Sequence, residues 1–250
     1  MKPQWPTPAR VHAWCSGRDG GVSTAPYDTL NLGDHVGDGA VAVGENRKRF
    51  AATLQARPVF LKQVHGNGVV QLTGDTPDGT EADACWTTEP GVACTIMVAD
   101  CLPVLLADRA GRVVGAAHCG WRGLAGEGGR GALETLWEAM APQAGDASQM
   151  LAWLGPCIGP AAFEVGPEVR AAFVPGDAGA QACFRQHGEG KFLADLAALA
   201  RRRLAALGIH AVHGNDSSAP WCTVTQASRF FSHRRDRVSG RFAAAIWLGR

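Results

Sequence analysis

Three short stretches each place a metal-capable side chain where an apolar run ends. They are FLKQVHGNGVV at 60–70, TIMVADCLPVLLAD at 95–108 and VVGAAHCGWRGLAG at 113–126. Their His65, Cys101 and His118 offer two imidazoles and one thiolate, donors that both zinc and copper accept. A catalytic zinc characteristically has three protein ligands and one open coordination position, so three such residues suffice for a working centre. Spacing alone argues weakly, because the separations match no compact zinc-finger pattern. Each histidine could equally be a satisfied core residue, and Cys101 an inert buried thiol. The shared context favours the metal: an apolar strand, a ligand-type residue and then a turn, with Lys62, Asp100 or Arg122 close by. The same atoms would also serve a cysteine hydrolase, with Cys101 as nucleophile and His118 as its base. Asp100 beside Cys101 opposes thiolate activation. A bound divalent ion tolerates that carboxylate, as an acceptor from a ligand histidine or as a general base. The metal centre therefore ranks above the nucleophile.

Two further stretches could bind anions. GEGGRG at 126–131 formally satisfies G-x-G-x-x-G, but it begins well after the preceding strand and lies in no clean βαβ unit, so a dinucleotide site is not expected. A loop-to-helix start there, with Arg122 upstream, could still hold a phosphate through free backbone N–H groups. FFSHRRDRVSGR at 230–241 sets four arginines and two serines in a turn between aromatic residues and the last strand. It reads either as an exposed charged hairpin or as an anion clamp.

These residues need elements to hold them. The segments VFLKQVHG, ACTIMVAD, PVLLAD, RVVGAAHC, MLAWLGP and the final FAAAIWLG read as buried strands, rich in β-branched and apolar residues. Helices are expected over 41–55, over 129–142 with Pro142 as the stop, and over 192–208 with Gly208 as the end. In the last of these, Arg201, Arg202 and Arg203 read as a solvated face. Strands and helices mix without steady βαβ alternation, which favours a layered α+β sandwich over a doubly wound sheet. With 250 residues, 46% of them hydrophobic, the chain can bury a large core, and one mixed α/β domain spanning 1–250 is expected. The net charge of +1 gives no electrostatic case for nucleic acid or an anionic membrane as principal partner. No apolar run approaches the ~20 residues a membrane span needs, and the first residues lack a signal-peptide core, so a soluble cytoplasmic protein is expected. The eight cysteines form no C-x-x-C pair and should be reduced thiols. Without a secretory signal, the sequon at Asn215 is idle.

LKQVHG, EADA, MVADCLPVLL, AAHCGWRG, LGPCIGPAAFEVG and FFSHRRD-x-x-SGR follow one another in this order. In that order they resemble the YfiH family, also labelled multi-copper polyphenol oxidoreductase laccase or peptidoglycan editing factor. The resemblance runs from about Val11 to the C-terminus. It implies a single-domain α/β/β/α layered sandwich similar to the catalytic domain of the cytotoxic necrotizing factors, which are cysteine deamidases. It also implies one zinc, with copper as the other candidate, on His65, Cys101 and His118, and pocket residues at Asn31, Lys62 and Arg122. Two positions depart from the family pattern. Cys119 stands where alanine is usual, and His233 stands where an aromatic such as tyrosine is expected. Cys119 need not face the site, because adjacent strand residues point opposite ways.

Members resembling this chain are described as purine nucleoside enzymes that cleave adenosine, inosine or guanosine with phosphate and also deaminate adenosine. An open zinc suits deamination at the purine C6, and phosphorolysis needs a held phosphate, for which Arg122, Lys62 and Arg241 are the expected supports. The alternatives are a hydrolase that removes L-serine from a UDP-muramyl precursor, a copper laccase, and a non-enzymatic zinc-stabilised binding domain. Eight scattered histidines with no H-x-H pair fit the laccase poorly, and a structural zinc normally has four protein ligands. The expectation is therefore a zinc-dependent purine nucleoside phosphorylase with deaminase activity. Asp100 or Asp83 would handle the proton, the partners would be a nucleoside or nucleotide-bearing small molecule and phosphate, and a monomer is favoured.

Overall fold

The computed structural model of the chain describes residues 1–249. A four-stranded sheet runs in the order β1 (Val11–Cys15), β13 (Phe242–Leu248), β5 (Val92–Val98) and β2 (Arg57–Phe60). A six-stranded sheet runs β12 (Ala211–Gly214), β8 (Met150–Leu154), β6 (Leu102–Asp108), β7 (Val114–Cys119), β4 (Ala84–Thr87) and β3 (Val69–Gln71). A small antiparallel sheet of β10 (Phe184–Gln186), β11 (Phe192–Ala194) and β9 (Glu164–Val165) stands apart from both. The main helices are α1 (Ala40–Leu54), α3 (Ala132–Ala144) and α5 (Leu196–Ala206), with shorter α2 (Trp121–Ala125), α4 (Pro167–Phe173) and α6 (His233–Asp236).

Period-two alternation sorts the strand residues into three apolar layers. In β5, Cys94, Ile96 and Val98 face the other large sheet, meeting Leu105 and Ala107 of β6 and Val114 and Ala116 of β7. The intervening Ala93 and Met97 face away, onto Phe50 and Leu54 of α1. On the far side of the six-stranded sheet, Leu102, Val104 and Leu106 of β6 pack on Leu133, Leu136 and Met140 of α3 and Leu199 and Leu204 of α5. Helix, sheet, sheet and helix thus stack in the expected α/β/β/α order. Because β5, β6 and β7 are buried on both faces, they read in the sequence as near-continuous apolar runs.

The helix ends differ from expectation in instructive ways. Pro142 lies inside α3, whose last turn continues until Gly145 closes it by donating to the Ala141 carbonyl. The proline removes the N–H that would have bonded the Glu138 carbonyl, and the helix continues past it for two residues. The apolar stretch from Phe192 divides, since 192–194 is strand β11 and Asp195 caps α5 by accepting from the Ala198 N–H at 2.9 Å. The three arginines of α5 are not one solvated face. Only Arg202 is exposed, paired with Asp177, while Arg201 donates to the carbonyls of Val212 and Asn215 and Arg203 to those of Leu124 and Ala125. Long cationic side chains here stitch loops to the helix layer. None of the eight cysteines is disulfide-bonded, and no helix among the described residues is long and apolar enough to cross a membrane.

Candidate metal centre and substrate cavity

The chain brings its three metal-capable residues to one point at the mouth of the layer between the sheets. His118, next to last in β7, lies on the same face as Val114 and Ala116, so it points into that layer while Cys119 packs towards the helices. Pro103 pairs with His118 and Leu102 with Cys119, which places Cys101, in the β5–β6 turn, beside the end of β7. His65 arrives from the loop after β2, held in a left-handed backbone conformation at φ 62°. The donor atoms of His65, Cys101 and His118 all lie within 4.8 Å of one another, with Cys101 Sγ 3.9 Å from His65 Nε2. Gly120 leaves the space this requires: a Cβ there would stand 3.0 Å from Cys101 Sγ and 3.1 Å from His65 Cδ2. Two imidazoles and a thiol around such a space fit one zinc or copper ion, with a position open to the cavity.

Electrostatics support the same reading. Burial would raise the Cys101 thiol, but His118 and His65 together bring it down to about 6. Burial would lower the His118 imidazole, but Cys101 and Asp83 hold it up at about 9. The protein therefore stabilises a thiolate where a soft metal ligand is needed.

Asp83 builds the centre from behind. Its Oδ1 accepts from the His65 N–H at 2.9 Å and lies 2.8 Å from His118 Nδ1, and its Oδ2 accepts from the N–H groups of Val64 at 3.1 Å and Gly66 at 2.8 Å. Burial pushes this carboxyl upward, yet His118 and those backbone donors leave it below its ordinary value. With the His118 proton on Nδ1, Nε2 is free to ligate. Asp83 is fully buried, so it cannot touch a substrate. Of the two carboxylates expected to handle the proton, Asp100 reaches the cavity, whereas Asp83 stands behind His118 and reaches it only through that imidazole. Asp100 is itself anchored. Its Oδ1 accepts from Thr223 Oγ1 at 2.6 Å and its Oδ2 from the Arg234 N–H at 2.6 Å, tying the turn before Cys101 to two C-terminal segments.

A cavity of about 390 Å³ opens in front of the triad. Its apolar wall is formed by Trp121, Ile158, Phe163 and Leu196, and its cationic lining by Arg122, Arg234, Arg237 and Arg241, with His35 and His233 among them. Arg122 lies 4.3 Å from the centroid of the Trp121 ring, a stacked cation–π contact that fixes its direction. Gln63 pins the His65 loop to β5, exchanging hydrogen bonds of 2.8 and 2.9 Å with the Met97 backbone. Sequence reasoning does not single out His35, Gln63, Trp121 or Phe163, which also line the cavity. The GWRG block signals Trp121, but nothing local in the sequence marks the other three, which reach the cavity only through the fold.

Two expected pocket residues stand elsewhere. Lys62 is 65% exposed and pairs with Glu81 at 2.9 Å. It is separated from the site because neighbouring residues of an extended segment point apart. Asn31 is fully buried and structural, bonding the Gly33 backbone, the Arg241 N–H and Asp38. It acts on the cavity only by anchoring Arg241. The GEGGRG turn also lies away from the cavity lining, and the N–H of Gly131, the N-cap of α3, is taken by Glu134 at 2.8 Å. The FFSHRRDRVSGR stretch brings His233, Arg234, Arg237 and Arg241 to the cavity.

Comparison with known proteins agrees with this architecture along the whole chain. The family model described as multi-copper polyphenol oxidoreductase laccase matches residues 12–249. A protein of Escherichia coli (strain K12) named purine nucleoside phosphorylase YfiH is 52% identical over 98% of this chain and 97% of its own. A purine nucleoside phosphorylase of Pseudomonas aeruginosa is 51% identical over 99% of this chain and 98% of its own. The crystal structure of a Neisseria meningitidis protein superposes with a TM-score of 0.90 at 43% identity, covering 100% of this chain and 99% of that one.

Proposed function

The chain belongs to the multi-copper polyphenol oxidoreductase laccase family, the YfiH family, and from that premise we propose that it is a zinc-dependent purine nucleoside phosphorylase that also deaminates adenosine. One observation carries the reading: a single cavity joins a His–Cys–His centre, an apolar wall and a set of arginines. A purine needs the wall, a phosphate needs the arginines, and neither a laccase nor a structural zinc needs both. The relatives named purine nucleoside phosphorylase support the same assignment.

In phosphorolysis a phosphate oxygen bonds to ribose C1′ as the C1′–N9 bond breaks, and the departing purine takes up a proton. Arg122 and Arg241 hold the phosphate in line, where paired charge-assisted hydrogen bonds fix both position and orientation. Trp121, Ile158, Phe163 and Leu196 enclose the base and exclude water from it. Asp100, the carboxylate on the cavity, takes the proton that the attacking hydrogen phosphate gives up and passes it to the leaving purine. His65, Cys101 and His118 would hold the zinc, which when bound would supply positive charge beside the attacking phosphate in phosphorolysis and Lewis-acid activation of water in the deamination. The experiment is product analysis of purified protein incubated with adenosine, with and without phosphate. Adenine and ribose 1-phosphate are expected only with phosphate, and inosine in both. Intact adenosine, from protein carrying one metal ion per chain, would contradict the proposal.

A further inference from the structure

The cavity holds more positive charge than one phosphate can use. Four guanidinium groups line it, and among the described residues of the lining Asp100 is the one carboxylate, its oxygens accepting from Thr223 Oγ1 and the Arg234 N–H, while the Cys101 thiolate is directed to the metal centre. A phosphate carries a charge of about −1.5 to −2 near neutral pH, so the co-substrate leaves part of this field unanswered.

Arg237 is where the excess concentrates. It is the central residue of a γ-turn, with φ 63°, ψ −62° and the Val238 N–H donating to the Asp236 carbonyl at 2.7 Å. This turn is the rare, strained form, kept only where surrounding structure insists on it. Asp236, the adjacent carboxylate, is bound by Arg235 at 2.7 Å. The Arg237 side chain is exposed and, among the described residues, has no hydrogen-bond or ion-pair partner. An unpaired guanidinium on a strained turn at a cavity wall is arranged for a ligand outside the chain.

We propose that Arg237, with the charge of Arg234 behind it, forms a second anion subsite that takes the 5′-phosphate of a nucleoside 5′-monophosphate. The inference rests on reading this cavity as a purine nucleoside site. It extends the ligand class to nucleotides, as substrates or as competitors of the nucleoside.

Calorimetric titration of the zinc-loaded protein tests it, with adenosine and adenosine 5′-monophosphate each supplied as the C-nucleoside lacking the 6-amino group, which neither proposed reaction can convert, and with inorganic phosphate, using wild type, Arg237→Gly and Arg237→Lys. Glycine suits the left-handed backbone at this position, so Arg237→Gly should fold at least as well as wild type. The monophosphate should bind wild type at least about tenfold more tightly than adenosine, with an advantage that shrinks as salt is added. That ratio should collapse in Arg237→Gly, recover in Arg237→Lys, and persist in saturating inorganic phosphate. A monophosphate bound no more tightly than adenosine, or an advantage surviving in Arg237→Gly, would overturn the subsite. So would an advantage abolished by inorganic phosphate, which would make Arg237 part of the co-substrate site. Failure of the enzymatic reading looks different: adenosine would not be converted, while the Arg237-dependent preference for the monophosphate remained.

Discussion

Gly120 and Arg122 stand two positions apart and serve the site in opposite ways, one by lacking a side chain and the other by aiming one. Adding a Cβ at Gly120 would crowd Cys101 Sγ and His65 Cδ2 without touching the apolar layers. Gly120→Ala should therefore weaken zinc binding about 10- to 100-fold, the range for groups that orient metal ligands. Thermal stability of the metal-free protein should change little, and competition with a chelating dye reads the affinity. Arg122 carries its charge into the cavity over the Trp121 ring. Arg122→Ala should raise the KM for phosphate by on the order of tenfold or more with a smaller effect on the KM for adenosine, since a lost ground-state contact appears in the KM of the group it held. Equal effects on both would remove Arg122 from the phosphate. Lys62 marks the contrast: at 65% exposure beside Glu81, its ion pair contributes at most about 1 kcal/mol to stability.

The secondary-structure elements were legible in the sequence to the extent that one local rule governed them. Strands β5, β6 and β7 declare themselves because burial on both faces makes each a continuous apolar run. The helix at 41–55 was read to within a residue of α1. Misreadings fell where two rules compete. Phe192, Leu193 and Ala194 continue the apolar stripe of α5 but pair as strand β11, and the Asp195 cap, not the stripe, sets the boundary. Asp195→Ala removes the bond to the Ala198 N–H and one from Ser217. It should cost about 1 kcal/mol, as loss of a helix cap does, and lower the melting temperature while adenosine turnover stays as in wild type. The arginine run of α5 misled for a related reason: composition says that arginines are solvated, but not which carbonyls lie within reach. The metal residues were legible because His65, Cys101 and His118 each interrupt an apolar run. Their supports were less so, since the task of Asp83 depends on a loop and a strand end meeting across the fold.

At the scale of the whole molecule, the site is a consequence of stacking two sheets. The three donor residues come from three separate segments that meet only where the layer between the sheets opens. The far wall is the segment 233–241, fastened to the donors' side by the bond from the Arg234 N–H to Asp100. A net charge of +1 concealed a cavity lined by four arginines, because composition averages over a surface that the fold sorts. The candidate metal ligands, the apolar wall and the arginines are thus assembled together, and on the proposed function turnover should depend on the metal rather than merely on a folded chain. The most direct measurement strips the metal with a chelator, returns zinc in steps, and follows adenosine phosphorolysis alongside the far-UV spectrum. Turnover should be lost in the stripped protein while the fold persists, and should rise linearly to a plateau at one zinc per chain, with Cys101→Ala failing to recover. Full phosphorolysis by stripped protein, or by Cys101→Ala, would contradict the metal-centred account.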